Sequence, residues 1–457
     1  MRTPQPGLPS AETRTRRRGQ KRAGIAATDS ETPASWGTKC ARTRHPRRGP
    51  DSKCCCWAEL SYGPAGLIAE RALANGVEDY LSFRAVCREW RRSAKAIAVR
   101  AQGCLDRRFF PRRWIMLRDA VPPGSGSSRR RFLNVSTGEC VHTELPEVDD
   151  AQGHHHLLGA TAEGLLALLD TSTYAVRLLN PLTRQLAELP SLYPLLPAKT
   201  LADIADDGLP RALEVRGLGL AAASDDATDD VALVICFIEP TMLVVAKPGD
   251  GSWTLVHGDE RWFYSATSFA GRFYCADGRA VMALELPSTS DDQPPPRLVV
   301  VAKITIRVSH IGNDTVHLVK GGGADGEEEL LLLYRGQKPQ EDDPYARWRM
   351  KYVAFRVDLA ARETVPVTGL GGLAVFLGEE RALSVPHGVF PTISADTVCL
   401  GFDLFEREYE KLCAYCLLDG TTECCSFSCE DGWARPCGIV DYLAWYVSGT
   451  CEGIEEM

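Results

Sequence analysis

The sequence predicts an α+β multidomain chain: a small helical unit followed by a large all-β domain, with a β-propeller as the first architecture and a pair of β-sandwiches as the second. Three observations carry this expectation. Residues 57–105 are rich in Ala, Leu, Arg and Glu, with apolar residues at helical spacing. From about Phe109 onward, short runs of Val, Leu, Tyr and Phe alternate with Gly, Asp, Asn and Pro, the pattern of strands and turns. A weak repeat also runs through this part, and its first two copies place Asn134 and Asn180 46 residues apart, close to the roughly 40–50 residues of a propeller blade.

Residues 1–52 come first and read as a disordered basic tail. They hold Arg, Pro, Gly, Ser and Thr and almost no large apolar side chain, too little to offset the entropy of ordering. The run "RTRRRGQKR" (14–22) is a candidate nuclear import signal, and "RTRHPRR" (42–48) is a second basic cluster. From Met1 to Lys53 there are 13 Lys/Arg against 4 Asp/Glu, so the remaining chain carries a net charge of −17. An acidic folded part offers no broad basic face to a nucleic-acid backbone, so nucleic acid is not an expected partner.

Residues 53–105 form the helical domain. "AGLIAERAL" (65–73) predicts one short amphipathic helix, with a stop at Asn75-Gly76. In "DYLSFRAVCREWRRSA" (79–94), Phe83, Val86, Cys87, Trp90 and Ala94 share one helical face, inside a helical region (77–100) that is broken at most once. Some 50 residues in short helices bury little alone, so the unit leans on a partner or on the next domain.

Residues 106–457 form the β-rich domain. "FLNVSTGECVHTELP" (132–146) and "VRLLNPLTRQLAELP" (176–190) share one plan: apolar strand, Asn at a turn, Thr, and a second strand ending in Leu-Pro. "VAFRVDLAARETVPV" (353–367) and "CAYCLLDGTTECCSF" (413–427) repeat it loosely, with Asp358 and Asp419 at the turn. About 340 residues at this period correspond to approximately seven blades. "VALVICFIEPTMLVVA" (231–246) reads as two buried strands about a turn, too short and interrupted to span a bilayer. "WFYSATSFAGRFYCADG" (262–278) adds strands joined at Ala270-Gly271, and segments 194–212, 287–297 and 321–329 read as exposed inter-strand loops.

Motifs for chemistry are sparse. There is no Gly-x-Ser-x-Gly, Walker A or His-Glu-x-x-His sequence, and no catalytic residue, cofactor or membrane contact is expected. "HHH" (154–156) is read as a loop, because consecutive strand histidines cannot converge on one ion. Cys413, Cys416, Cys424, Cys425, Cys429 and Cys437 have the spacing of a zinc knot, but their surroundings alternate like strands and favour plain buried thiols. "GLGLAAA" (217–223) lacks the third glycine of a dinucleotide loop. Seventeen cysteines without a signal peptide suggest a reducing, cytoplasmic or nuclear setting.

"WAELSYGPAGLIAERAL…VEDYLSFRAVCREWRRSA" resembles an F-box, most closely that of a large plant family, abundant in grasses, with a C-terminal β-rich domain of unknown function. The family pattern falls on Trp57, Leu60, Leu67, Ile68, Phe83, Arg84, Val86, Cys87 and Trp90; "PRRWIML" (111–117), "VRLLNPLTRQLAELP" and "IVDYLAWYVSG" (439–449) are also similar. The resemblance implies a non-catalytic substrate receptor of a Skp–cullin–F-box ubiquitin ligase. Its partners would be a Skp-type adaptor, through it a cullin, and an unknown protein substrate. Leu60, Leu67, Ile68, Phe83, Val86, Cys87 and Trp90 would then be the adaptor-binding or F-box core residues, with Phe83 and Trp90 in the core and Val86 and Cys87 bordering the adaptor. The sequence departs from the pattern at Ser61, where Pro is usual, and at Pro64 and Ala65, where Leu is usual. Those departures open the alternative of a binding module that has lost ligase coupling.

Overall fold

The computed structural model describes residues 62–100, 107–117, 129–148, 154–207, 213–222, 231–258, 261–287, 295–309, 314–323, 327–339, 348–378, 381–400, 413–424 and 438–448. The basic tail, Trp57, Leu60, "CCC" (54–56), Cys425, Cys429 and Cys437 lie outside them.

Three helices lead: α1 (Tyr62–Asn75), α2 (Val77–Val86) and α3 (Arg88–Arg100). The first stops where Asn75-Gly76 predicts. Pro64 is tolerated in α1 because it sits in the first turn, where backbone N–H groups lack helical partners anyway. The break between α2 and α3 falls on Cys87, whose backbone is extended (φ −156°, ψ 172°). Its Sγ accepts the Trp90 N–H at 3.4 Å, so the thiol stands in for the usual N-cap oxygen of α3. One continuous face through Phe83, Val86, Cys87, Trp90 and Ala94 therefore does not form. Instead Phe83 and Trp90 stack across the break, ring centroids 4.5 Å apart. Ala65, Ala69, Leu73, Tyr80, Phe83, Ala94 and Phe109 make the small core of this unit.

Among the described residues the β-domain is a ring of six sectors. Four are regular antiparallel four-stranded blades. The first is β4 (His155–Ala160), β5 (Leu166–Asp170), β6 (Ala175–Leu179) and β7 (Leu186–Ser191). The second is β8 (Glu214–Ala222), β9 (Val231–Glu239), β10 (Met242–Ala246) and β11 (Thr254–Gly258). The third is β12 (Ser265–Phe269), β13 (Arg272–Ala276), β14 (Ala280–Glu285) and β15 (Arg297–Lys303). The fourth is β16 (Thr315–Gly322), β17 (Glu328–Pro339), β18 (Trp348–Asp358) and β19 (Glu363–Val367). One parallel pairing, Lys303 with Glu363, bridges the last two at their outer edges.

The other two sectors are irregular. One is a mixed sheet ordered β21-β20-β22-β23-β24, from β20 (Leu373–Leu377), β21 (Ala382–Pro386), β22 (Thr397–Leu400), β23 (Cys413–Cys416) and β24 (Thr422–Cys424). The other is a three-stranded sheet of β1 (Trp114–Leu117), β2 (Arg129–Asn134) and β3 (Cys140–Glu144). A C-terminal helix, α5 (Ile439–Val447), packs on β1, β20 and β21, and its Tyr446 reaches the cavity that the inner strands line.

The apolar cores follow the ring in order, each filling one gap between neighbouring sectors. Trp114 and Phe132 meet Leu166, Leu168 and Leu179; Leu165, Leu169 and Leu178 meet Leu218 and Ile235; Val234 and Leu243 meet Phe273 and Met282. Tyr274 and Val281 meet Leu318 and Leu332, Val319 and Leu331 meet Val375 and Val398, and Phe376 and Cys399 meet Ile115, Leu133 and α5. Six interfaces close the circle, against the seven blades that length divided by period suggests. The arithmetic overshoots because long loops and α4 (Ala198–Asp207) consume chain without adding strands. That helix also corrects the reading of 194–212 as an exposed loop: Leu201 and Ile204, one turn apart, pack on the core between the first two blades.

The Asn/Asp turns hold as hydrogen-bonded devices. Asn134 Oδ1 accepts the Ser136 N–H, Asn180 Oδ1 those of Leu182 and Thr183, and Asp358 Oδ1 those of Ala360 and Ala361. In the fourth copy the register differs. Cys416, not Asp419, occupies the position of Asn180, its carbonyl accepting from Gly420, while Asp419 Oδ1 accepts from Thr421 N–H and Oγ1–H. Asp170 builds a further turn of this kind, with Ser172 and Thr173 as donors. These bonds favour the charged carboxylate and hold Asp170 well below its ordinary pKa.

Candidate interaction site

Two places in the molecule gather unusual side chains. The first is the helical unit. Leu67 (66 % exposed), Ile68 (38 %) and Val86 (61 %) are large apolar residues left in solvent, while Phe83 is buried and Cys87 and Trp90 are half-buried. Pro64 is exposed, but Ala65 is fully buried in the helical core. Position 65 therefore faces inward here, and a Leu there would overpack α1 against α2 and α3.

This unit is tied to the propeller. The Asn180 amide, fully buried, donates from Nδ2 to the Phe109 carbonyl at 2.8 Å while its Oδ1 holds the β6–β7 turn. Phe109 in turn meets Tyr80 edge-on at 5.1 Å, and Leu81 packs into the core beneath the first blade. The "LLNPLT" segment is thus both a blade turn and the anchor of the helices.

The second place is the mouth of the central channel. Edge strands β4, β8, β12, β16 and β21 face the axis, and with Tyr446 of α5 they line a cavity of about 60 Å³. Gly217 and Gly219 let β8 approach β12: a Cβ on Gly217 would strike the Ala266 carbonyl, and one on Gly219 would lie 2.7 Å from Ser268 Cβ. The "GLGLAAA" run is explained by this close approach. The lining is aliphatic, glycine or hydroxyl-bearing apart from Arg381, whose guanidinium lies 5.1 Å from the Tyr446 ring centroid.

Arg216 and His317 are chain neighbours of residues that line this cavity. Arg216 is the extra residue of a β-bulge in β8, between Val215, which pairs with Phe237, and Gly217, which pairs with Cys236. A bulge re-aims the side chain it carries, and Arg216 is buried with its guanidinium 5.3 Å from the ring centroid of Trp262. Trp262 remains 48 % exposed. His317 and Arg335 are buried on β16 and β17, and His317 Nε2 lies 2.9 Å from Thr315 Oγ1. Burial, then the fields of Arg335 and Arg216, push His317 down to about 3, so it is neutral at physiological pH. Nearby Asp314 Oδ2 accepts from Ser309 N–H (3.0 Å) and Tyr334 O–H (2.9 Å). Burial, followed by the bond to this carboxylate, pushes the Tyr334 phenol up to about 12. Their sequence signal is a charged or imidazole residue within an apolar strand, as in "LEVRGLGL" and "TVHLV".

The histidine run does not lie in a loop. His155 and His156 begin β4, where His155 Nε2 contacts Arg177 Nη1 at 2.7 Å. Among the described residues no group of three or more His, Cys, Asp or Glu is placed to hold a metal ion. Cys413 and Cys424 are backbone partners in the β23–β24 register. No helix among the described residues is long and apolar enough to cross a membrane.

The comparisons agree with this architecture. No curated protein matches the chain. The family model of the KIB1-4 β-propeller matches residues 132–427, well over half of the sequence and spanning β2 to just past β24. Propellers of this kind are typically interaction scaffolds. The chain belongs to the KIB1-4 β-propeller family.

Proposed function

We propose that the chain is the substrate-recognition subunit of a Skp–cullin–F-box ubiquitin ligase, with helices α1–α3 as its adaptor-binding unit and the propeller as the part that presents a target protein. The observation that carries this reading is the exposure of Leu67, Ile68 and Val86 on a helical unit that is itself held on the propeller. Burying an exposed Leu, Ile or Val contributes about 1.5–3 kcal/mol each, so three of them account for a substantial part of a stable contact. By the resemblance, all three are among the adaptor-binding or F-box core positions. The receptor performs no bond chemistry; it raises the effective concentration of a target lysine near the conjugating enzyme.

Binding of the full-length chain to a purified Skp-type adaptor tests this. Wild type is expected to bind, and Leu67→Asp and Val86→Asp to weaken binding at least tenfold, while both variants keep their melting temperature because the side chains are solvent-exposed. Binding that is indifferent to both substitutions contradicts the assignment. The second reading, a propeller module without ligase coupling, draws on Pro64, exposed where the pattern has Leu. It is supported if wild type fails to bind and Pro64→Leu does. Leu at position 65 is no part of that test, because Ala65 packs inward.

A further inference from the structure

Two buried thiols face each other across the seam between the second and third blades. On β9, Ala232, Val234 and Cys236 point into that seam, while Leu233, Ile235 and Phe237 turn the other way, toward the first blade. On β13, Phe273 and Cys275 point into the same seam, and Tyr274 and Ala276 away from it. The strand registers bring the two cysteines level. Cys236 pairs with Gly217 and Cys275 with Ala266, and Gly217 and Ala266 are where β8 comes closest to β12. The cysteines stand one strand further out from that contact, both free and both buried, and their thiols are hydrogen-bonded to each other. A single buried cysteine is ordinarily a small apolar filler. Two that meet on different blades are placed to tie those blades together covalently. Burial, then the hydrogen bond to Cys236, raises the Cys275 thiol well above its ordinary pKa, so the reactive thiolate is scarce while the seam is closed. Opening the seam admits water and a small oxidant and restores the thiolate.

We propose that Cys236 and Cys275 are an oxidative modification site: a hydroperoxide joins them in an inter-blade disulfide when the seam opens, and the bond then holds the second and third blades together. One thiolate attacks the O–O bond of hydrogen peroxide, giving a sulfenic acid and a hydroxide that leaves as water with the thiol proton. The second thiolate attacks the sulfenic sulfur; the S–S bond forms, the S–O bond breaks, and the departing hydroxide takes the second proton as water. Two electrons pass from the sulfur pair to peroxide, and two waters are released. The new bond closes a loop over residues 237–274 and so removes conformational freedom from the opened chain. Nothing in this device depends on adaptor binding.

The test is hydrogen peroxide treatment of the full-length chain, its accessible thiols first blocked with iodoacetamide, in buffer and in urea below the unfolding midpoint. Trypsin places Cys236 in peptide 217–261 and Cys275 in peptide 273–279, each without another cysteine, so their linkage is read directly by mass. The linked pair is expected to form about tenfold faster in urea than in buffer, as opening is promoted. It should weigh two hydrogens less than its separate peptides, revert in dithiothreitol, and raise the urea midpoint of the oxidised chain. Cys399, buried in the core shared with α5, is the internal control and should pair with neither. Cys275→Ala should abolish the midpoint shift. Equal rates in buffer and urea overturn the proposal, as do pairing with Cys399 in like amount, separate oxidation of the two thiols, or an unchanged midpoint. These outcomes are read on the native chain, so they decide the matter even if the variant fails to fold.

Discussion

At the scale of single residues, His317 has the sharpest consequence. Its imidazole is buried and its pKa lies near 3 in the folded chain, against roughly 6.5 unfolded. The unfolded state therefore binds the extra proton first as pH falls. The contribution of the neutral imidazole is fully present above about 6.5 and is lost progressively between there and about 3. Urea midpoints measured from pH 7.5 to 4 should decline, and His317→Gln should flatten part of that decline; a parallel profile in the variant would contradict the assignment. The lowered carboxylates Asp170, Asp358 and Asp419 also lose their turn bonds in acid, but at lower pH, which keeps the two effects apart. Asn180 is legible in the sequence as a turn residue because the Asx turn is local. Its second bond, to the Phe109 carbonyl 71 positions earlier, is not, because only the folded ring brings those atoms together.

At the scale of elements, what could be read depended on whether a segment's partner lies nearby in sequence. The Ala270-Gly271 turn forms as expected, with both residues at positive φ (47° and 77°) joining β12 to β13. The break in 77–100 was visible as an irregular helix, but not that Cys87 would cap α3 with its sulfur. The α4 segment reads as loop because prolines flank it, and Leu201 and Ile204 acquire their role only from the blades they cover. Likewise α5 packs on β1, β20 and β21, strands far from it in sequence, which no period reveals. Close packing of β8 on β12 gives a test at this scale. Gly219→Ala should destabilise the domain by about 1–3 kcal/mol through overpacking, measured as a lowered denaturation midpoint. An unchanged midpoint would show that the two inner strands separate freely.

At the scale of the whole molecule, the ring is closed by its two ends. The N-terminal sheet β1–β3 and the C-terminal helix α5 share one core, with Ile115 and Leu133 against Leu443, Ala444 and Val447, and the Arg131 guanidinium stands 4.3 Å from the Tyr442 ring centroid. The helical unit enters beside that closure, through Phe109 and Leu81. The propeller was legible from the 46-residue spacing, but the surroundings of His317 were not, because the fields of Arg335 and Arg216 reach it from other strands. We propose the binding of a Skp-type adaptor by α1–α3 through Leu67, Ile68 and Val86. Its most direct measurement is the hydrogen-exchange footprint of the full-length chain with and without purified adaptor. Protection confined to peptides covering 62–90 is the predicted result; no protection there, or protection only on the blades, would contradict it.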